Sequence, residues 1–452
     1  MSSYSQPGAK RQKRPERPDV DYFQGIDKLE YNNMAGPGDT NYYRYYNGTE
    51  RVANRNMEDW LKFSVSLTEF RNYDYDHSFR SSHRQWDDGT CTIDNYKHCL
   101  KALFDLCSKL GVKYWTAYDS DLVPPGDSWD ETRAQWDEMV EYIQELSQKF
   151  HMKLLWLAPN LHSNPRYSLG ALTSSDATVY AQAATQIKKC LEVSQRLSAE
   201  CFLLWPSREG YSTIFHADIA KEMKLFSKLL KLTAEYKDRL NYRCQLLLMP
   251  YYRFGRNYGG WQYWENEMVN MYMWDVTSCL YFLKNYNLDR YYKVCVPPGH
   301  HMFMANIYNM LGGVFLTNNF DHYDIKNLTL MMKCIIDQGS APPGGVHLQL
   351  RARGVRPPAR ARVIALAARA DASARALRLA AALANHQLVH KHLQERYSSY
   401  CSGFGARLAG SDVSMEECED HYKKNQVNND QCSRLEQLDV ALQRYIYTCD
   451  QI

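Results

Sequence analysis

The chain has 452 residues, of which 45% are hydrophobic and 23% charged, and its formal net charge is +3. This composition is typical of a globular protein with a large core and excludes a wholly disordered chain. The small net charge does not indicate nucleic-acid binding. The sequence lacks an apolar run of about 18 residues, so no membrane span is predicted, and its 13 cysteines form no Cys-x-x-Cys pair, which favours reduced thiols in a cytoplasmic compartment.

Residues 1–20 are predicted to form a disordered basic tail, because they are rich in proline and charge and lack the apolar segment of a secretory signal. The basic residues of this tail are Lys10, Arg11, Lys13, Arg14 and Arg17. Such a cluster is also typical of a nuclear-localisation or RNA-contacting patch, so a nuclear location stands as an alternative to the cytoplasmic one.

From about residue 95 onwards, helical and strand patterns alternate along the chain. Apolar stretches predict strands at 112–118, 152–159, 201–206, 244–250, 291–298 and 312–316. Helical spacing predicts intervening helices at about 96–110, 128–150, 176–197, 216–237, 265–286 and 324–337, with a short helix before the last strand. Apolar strands between helices indicate a parallel sheet, and seven or eight such units in about 250 residues favour a closed (β/α)8 TIM barrel over residues 21–384.

The last part of the chain departs from this pattern. Residues 385–452 contain no strand pattern and predict a helical arm that wraps its own barrel or reaches a neighbour. Residues 351–378 contain eight arginines, many alanines and one acidic residue. A helical surface is the favoured interpretation, since no aromatic residues interleave to stack bases. A reading-frame error affecting residues 346–394 would also produce such a run and stays open.

The segment Trp205-Pro-Ser-Arg-Glu-Gly-Tyr211 resembles the Trp-Gly-Gly-Arg-Glu-Gly-Tyr motif that ends the fourth strand of the xylose isomerase family. Other segments resemble that family in the same order, at 117–121, 159–167, 341–345, 395–405 and 433–447. The resemblance implies a (β/α)8 barrel whose C-terminal arm embraces a neighbouring subunit. It also implies aldose–ketose isomerisation with two divalent cations (Mg, Mn or Co), held by carboxylates and one imidazole at the strand ends.

The positions that match the family's metal ligands carry other residue types, namely Met249, Pro297, Phe315, Leu316, Asn318 and Gln349, and His300 is the one remnant. The position of the substrate-polarising lysine carries Tyr251, and the position of the catalytic histidine carries Thr68. Asp76 and Asp119 match further catalytic positions. Methionine, proline, phenylalanine and leucine do not ligate hard cations, so the resemblance predicts that neither the metal site nor the catalytic site is intact.

We therefore expect a catalytically inactive homologue with a binding or structural role and without a cofactor. Trp205, Arg208 and Glu209 are candidates for binding a sugar or protein in the barrel mouth, although structural salt bridging and capping is the favoured interpretation of Arg208 and Glu209, as it is of Asp119. The alternative is an active, metal-dependent isomerase with a rebuilt site, for which the acidic candidates are Asp119, Asp121, Glu209, Asp321 and Asp324. The arm predicts a homodimer or homotetramer, whereas membrane and nucleic-acid partners are not expected.

Overall fold

A closed barrel of eight parallel strands forms the centre of the protein, in the order of the chain. The computed structural model describes residues 21–36, 38–71, 86–126, 129–250, 270–316, 324–350, 359–410, 413–425 and 434–448. The barrel strands are β1 (Phe63–Ser66), β2 (Tyr114–Tyr118), β3 (Lys153–Ala158), β4 (Cys201–Leu204), β5 (Gln245–Leu248), β6 (Tyr292–Val296), β7 (Leu311–Leu316) and β8 (Val346–Leu348). The predicted (β/α)8 barrel is therefore confirmed.

A helix follows each barrel strand, as this fold requires. These helices are α1 (Ile93–Leu110), α2 (Trp129–Phe150), α3 (Ala177–Arg196), α4 (Ile219–Arg239), α5 (Val276–Asn285), α6 (His300–Ile307), α7 (Ile325–Asp337) and α8 (Ala359–Asn385). The helix predicted at 265–286 was wrong at its start. Asn270 and Met271 pair antiparallel with Gly210 and Tyr211, and α5 begins only after Asp275, whose side chain accepts a hydrogen bond from the Ser278 amide (2.7 Å).

The segment rich in alanine and arginine forms the eighth barrel helix rather than only a helical surface. Val363, Leu366 and Leu377 of α8 are at most 1% exposed and belong to the main hydrophobic core. Asp371 accepts hydrogen bonds from the backbone amides of Tyr45 and Tyr46, at 2.7 and 2.8 Å. The short alanine side chains let this helix approach the barrel closely, while its polar groups bind the N-terminal part of the chain.

The C-terminal arm consists of α9 (Gln387–Arg396), α10 (Gly403–Ala409), α11 (Met415–Lys424) and α12 (Arg434–Thr448). The last of these returns to the barrel, where Asp439 lies 3.0 Å from Lys326 and the rings of Tyr445 and His386 are 4.8 Å apart. Within the described ranges, no helix is both long and apolar enough to span a membrane. The arm therefore packs against its own barrel through its last helix, in keeping with the predicted helical segment.

Candidate functional site

One half of the barrel interior is polar. Because side chains alternate along a strand and Phe63, Val65 and Val346 face the surrounding helices, the residues between them face inwards. The inward residues of β1, β2 and the β8 end form what we call the polar wall, which consists of Ser64, Ser66, Thr116, His347 and Gln349. All five are at most 8% exposed.

The opposite half of the interior is apolar. Five residues of β4, β5 and β6, at most 7% exposed, form what we call the apolar wall: Cys201, Leu203, Leu247, Met249 and Cys295. Trp205, Trp156 and Tyr118 extend the same cluster towards the barrel mouth. In many barrel enzymes the strand ends carry catalytic or ligand residues. On this side of the barrel, leucine, methionine and cysteine side chains line the interior instead.

The residues that the resemblance places at metal-ligand positions lie in different surroundings. Met249 belongs to the apolar wall, and the ring of Phe315 lies 6.2 Å from that of Trp156 and 5.2 Å from that of His347. Leu316 faces the outer core, Pro297 is buried at the end of β6, and Gln349 is buried in the polar wall. His300 is the exposed first residue of α6.

The donor set does not suit a pair of hard divalent cations. Methionine, phenylalanine, leucine and proline offer such ions no oxygen or nitrogen ligand from their side chains. Within the described part of the chain, no three or more His, Cys, Asp and Glu side chains are grouped closely enough to hold a metal ion. Asn318, Asp321, Asp76 and Tyr251 lie outside the described residues.

Thr68, which the resemblance places at the position of a catalytic histidine, is part of a buried hydrogen-bond network. Its hydroxyl donates to the carboxylate of Asp121, which also accepts from the Tyr118 amide at 3.2 Å. Burial raises the pKa of Asp121, and the neighbouring Arg71 opposes that rise. These hydrogen bonds join the end of β1 to the turn after β2. In them the Thr68 hydroxyl is a donor to the buried Asp121 carboxylate.

Asp119, retained at a family position, is almost fully buried beside this network. Its carboxylate accepts hydrogen bonds from the Ser120 amide (2.7 Å), the Asn160 amide (2.8 Å) and Gln186 Nε2 (2.8 Å). Burial raises its pKa to about 6, despite these bonds. Strongly shifted carboxyl groups occur both in active sites and in structural networks, so this shift alone does not assign a role.

Glu209 is buried and organises the loop after β3. Its two carboxylate oxygens accept from the amides of Ala171, Leu172 and Thr173 at 3.0–3.1 Å and from the Thr173 hydroxyl at 2.5 Å. Burial raises its pKa, and these bonds oppose the rise. Asp324, another acidic candidate, caps α7 by accepting from the Asn327 amide at 3.1 Å. Both carboxylates therefore have structural partners.

His162, which the sequence analysis did not single out, contacts two of the three binding candidates, Trp205 and Arg208. The His162 ring makes edge contacts with Trp205 (4.7 Å between centroids) and Tyr118 (5.2 Å). Arg208 Nε donates to the His162 carbonyl oxygen at 3.3 Å. Burial, with help from the Arg208 charge, lowers the pKa of His162 to about 3. This residue is therefore neutral at physiological pH.

The sequence analysis also missed a histidine–carboxylate pair. His347 Nε2 lies 3.2 Å from Glu69 Oε1, and Glu69 Oε2 accepts from the Leu350 amide at 2.7 Å. The two partners are 278 positions apart in the chain. No local spacing in the sequence could have indicated this contact, which arises only when β8 closes the barrel against β1.

Comparisons with known proteins agree with the resemblance. Residues 393–446 match the family described as the XylA2 C-terminal domain. The chain is 28% identical to xylose isomerases of Thermoanaerobacter pseudethanolicus, over 95% of this chain and 100% of the other, and of Thermoanaerobacterium saccharolyticum, over 94% and 99%. A solved D-psicose 3-epimerase from Clostridium cellulolyticum H10 is 12% identical, with a TM-score of 0.46, over 70% and 99%. The chain is thus similar in sequence to xylose isomerases over nearly its whole length.

Proposed function

We propose that this protein is a catalytically inactive member of the xylose isomerase family whose barrel serves in binding or as a structural support. One observation carries the proposal. Met249 takes the place at the end of β5 where the resembling family has a shared metal ligand, and it is 7% exposed within the apolar wall. A cation at this position would lose its hydration and gain no oxygen ligand from the strand.

The central experiment measures metal content and isomerisation on the same preparation. The purified protein is analysed for Mg, Mn and Co and assayed for conversion of D-xylose to D-xylulose with each cation added in turn. We expect substoichiometric metal and no turnover above background. The xylose isomerase of Thermoanaerobacter pseudethanolicus, handled identically, is the positive control. Metal-dependent turnover would overturn the proposal.

An active isomerase with a rebuilt site is the second candidate, and Asp119 is the observation that favours it. With a pKa of about 6, its carboxyl group could exchange a proton near neutral pH. If this candidate is right, Asp119→Asn abolishes xylose turnover while the control Asp137→Asn, on the surface of α2 where Asp137 pairs with Arg196, retains it. Loss of turnover in both variants, or in neither, would count against a role for Asp119.

For the ligand, we propose a neutral sugar that stacks on the aromatic residues around the barrel mouth. Trp205, Trp156 and Tyr118 lie in one cluster at that end, and aromatic faces pack well against sugar rings. Titration with D-xylose should change the tryptophan fluorescence of the wild type and of the control Trp274→Phe, whose ring is 57% exposed, but much less that of Trp205→Phe. Equal responses in all three proteins would argue against this site.

For the partner, we propose a second copy of the chain, bound through the arm. Large apolar side chains of the arm are 39–82% exposed in the single chain, among them Leu393, Tyr397, Leu408, Met415, Tyr422, Leu435 and Tyr447. Light scattering should give the mass of a dimer or tetramer for the full chain. The variant Leu435→Glu/Val440→Glu should shift it towards the monomer, whereas Leu232→Glu, on α4, should not. A monomeric wild type would refute the proposal.

A further inference from the structure

Three atoms of the polar wall have no hydrogen-bond partner among the described residues: Ser64 Oγ, Thr116 Oγ1 and His347 Nδ1. Ser64 and Thr116 are 0% exposed and His347 is 3% exposed. The great majority of buried polar groups in native proteins are hydrogen-bonded, because burying them unpaired costs free energy. Three unpaired atoms on one face of a barrel therefore indicate a missing partner.

The three residues lie on neighbouring strands. His347 of β8 and Ser64 of β1 are register partners, and Ser66, two residues after Ser64, is the register partner of Thr116 on β2. Partnered residues on adjacent strands point the same way and are about 4.8 Å apart. The opposite wall offers no partner, since it consists of leucine, methionine and cysteine side chains. Among the described residues the barrel thus offers these atoms no side-chain partner, and a small molecule inside the barrel could reach all three.

The chemistry of the three atoms defines what fits. His347 Nε2 lies 3.2 Å from Glu69 Oε1, so Nδ1 is the ring nitrogen left for another group, as an acceptor in the neutral ring and as a donor in the charged ring. The two hydroxyl groups can both donate and accept. The partner must therefore be small, uncharged, and able to donate and accept hydrogen bonds. The polar wall itself supplies no unpaired charge for an ion.

We propose that ordered water is bound inside the barrel between His347 Nδ1, Ser64 Oγ and Thr116 Oγ1. The water extends a hydrogen-bond chain that runs from the Leu350 amide through Glu69 and His347 to the two hydroxyl groups. Proteins contain about one buried water per 27 residues, typically with three hydrogen bonds, so such a site is ordinary for a chain of this length. This hydration goes beyond the proposed function and does not depend on it.

Two measurements test the proposal. A high-resolution crystal structure of the wild type should show water within about 2.7–3.2 Å of His347 Nδ1 and of at least one of the two hydroxyl groups. Magnetic relaxation dispersion of labelled water should detect fewer long-lived waters in Thr116→Val and Ser64→Ala than in the wild type. Thr329→Val is the control, because the Thr329 hydroxyl is already bonded to the Ile325 carbonyl at 2.6 Å.

Thermal unfolding of Thr116→Val distinguishes a hydrated barrel interior from a dry one by the sign of the change in Tm. If water bridges these groups, Thr116→Val removes a made hydrogen bond and lowers Tm. If the interior is dry, the same change removes an unpaired hydroxyl and leaves Tm unchanged or higher. A dry interior in the wild-type crystal structure would overturn the proposal even if neither variant folds.

Discussion

His162 makes the stability of the protein sensitive to acid. Its folded-state pKa of about 3 lies below its ordinary value of 6.5 because the ring is buried between Tyr118 and Trp205. Below pH 6.5 the unfolded chain takes up a proton that the folded chain does not accept until about pH 3. Stability is therefore present in full above pH 6.5 and falls by about 1.4 kcal/mol per pH unit on acidification.

The variant His162→Phe tests this sensitivity to acid. His162→Phe keeps an aromatic ring in the cluster and removes the titrating group, so its advantage over the wild type should grow between pH 6 and pH 4 by about 2–3 kcal/mol. Urea unfolding at several pH values measures it. The exposed His216→Gln should follow the wild-type profile. Parallel profiles for wild type and His162→Phe would show that His162 is not neutral in the fold.

Asp119 gives the stability of the protein the opposite dependence on pH. Its pKa is raised from 3.8 to about 6 by burial, so as pH rises between these values the unfolded chain loses a proton that the folded chain retains. Ionisation therefore lowers stability as pH rises. Between pH 5 and pH 7, Asp119→Asn should gain about 1 kcal/mol relative to the wild type. A gain of similar size in Asp137→Asn, whose native side chain is 50% exposed and paired with Arg196, would contradict this assignment.

At the level of elements, Glu209 joins the loop after β3 to the loop after β4. The amide of Glu209→Gln would replace one acceptor oxygen with a donor that faces the Thr173 amide and hydroxyl, so we expect a loss of about 2–3 kcal/mol in the free energy of unfolding. Glu222→Gln is the matched control, because Glu222 accepts one bond from the Tyr272 hydroxyl at 2.7 Å. Equal losses in both variants would refute a special role for Glu209.

The same elements indicate how much the sequence could predict. Apolar strands and helical spacing predicted six of the eight barrel strands, because both are local patterns that follow from burial of one face or of both. The first and last strands, β1 and β8, were not among those predicted. The start of α5 was mispredicted because the pairing of Asn270 and Met271 with Gly210 and Tyr211 is a contact between distant segments. Several predicted strands likewise ran one or two residues past the observed strand ends, as at Leu204 and Leu248, where the chain leaves the barrel.

The candidate site was predictable only in part. A resemblance identified Met249 and Phe315 as substituted positions, and the barrel places both inside the mouth or interior. It could not find the pairing of Glu69 with His347, nor the enclosure of His162 by Tyr118 and Trp205. These contacts depend on barrel closure and on the direction of side chains, which neither composition nor periodicity specifies.

At the scale of the whole molecule, an ion pair across the barrel connects strands at their N-terminal ends. Lys62 precedes β1, and its ammonium group binds the carboxylate of Glu200, which precedes β4 on the far side, and the Pro343 carbonyl oxygen at 3.0 Å near β8. Gly345 lies directly against the Lys62 carbonyl with φ +65°, so no larger residue fits there. The ion pair and this close contact hold three strands at one end of the barrel.

A double-mutant cycle measures what this closure contributes. Lys62 and Glu200 are 16% and 36% exposed, so water screens the pair only partly, and we expect a coupling energy of about 1 kcal/mol from Lys62→Met, Glu200→Gln and the double variant. The pair Lys188–Glu192, one helical turn apart on α3 and 54% and 32% exposed, provides the control, with an expected coupling below about 0.5 kcal/mol. Coupling of equal size in both cycles would mean that the cross-barrel pair is an ordinary surface interaction, and barrel closure would then rest on strand pairing and core packing alone.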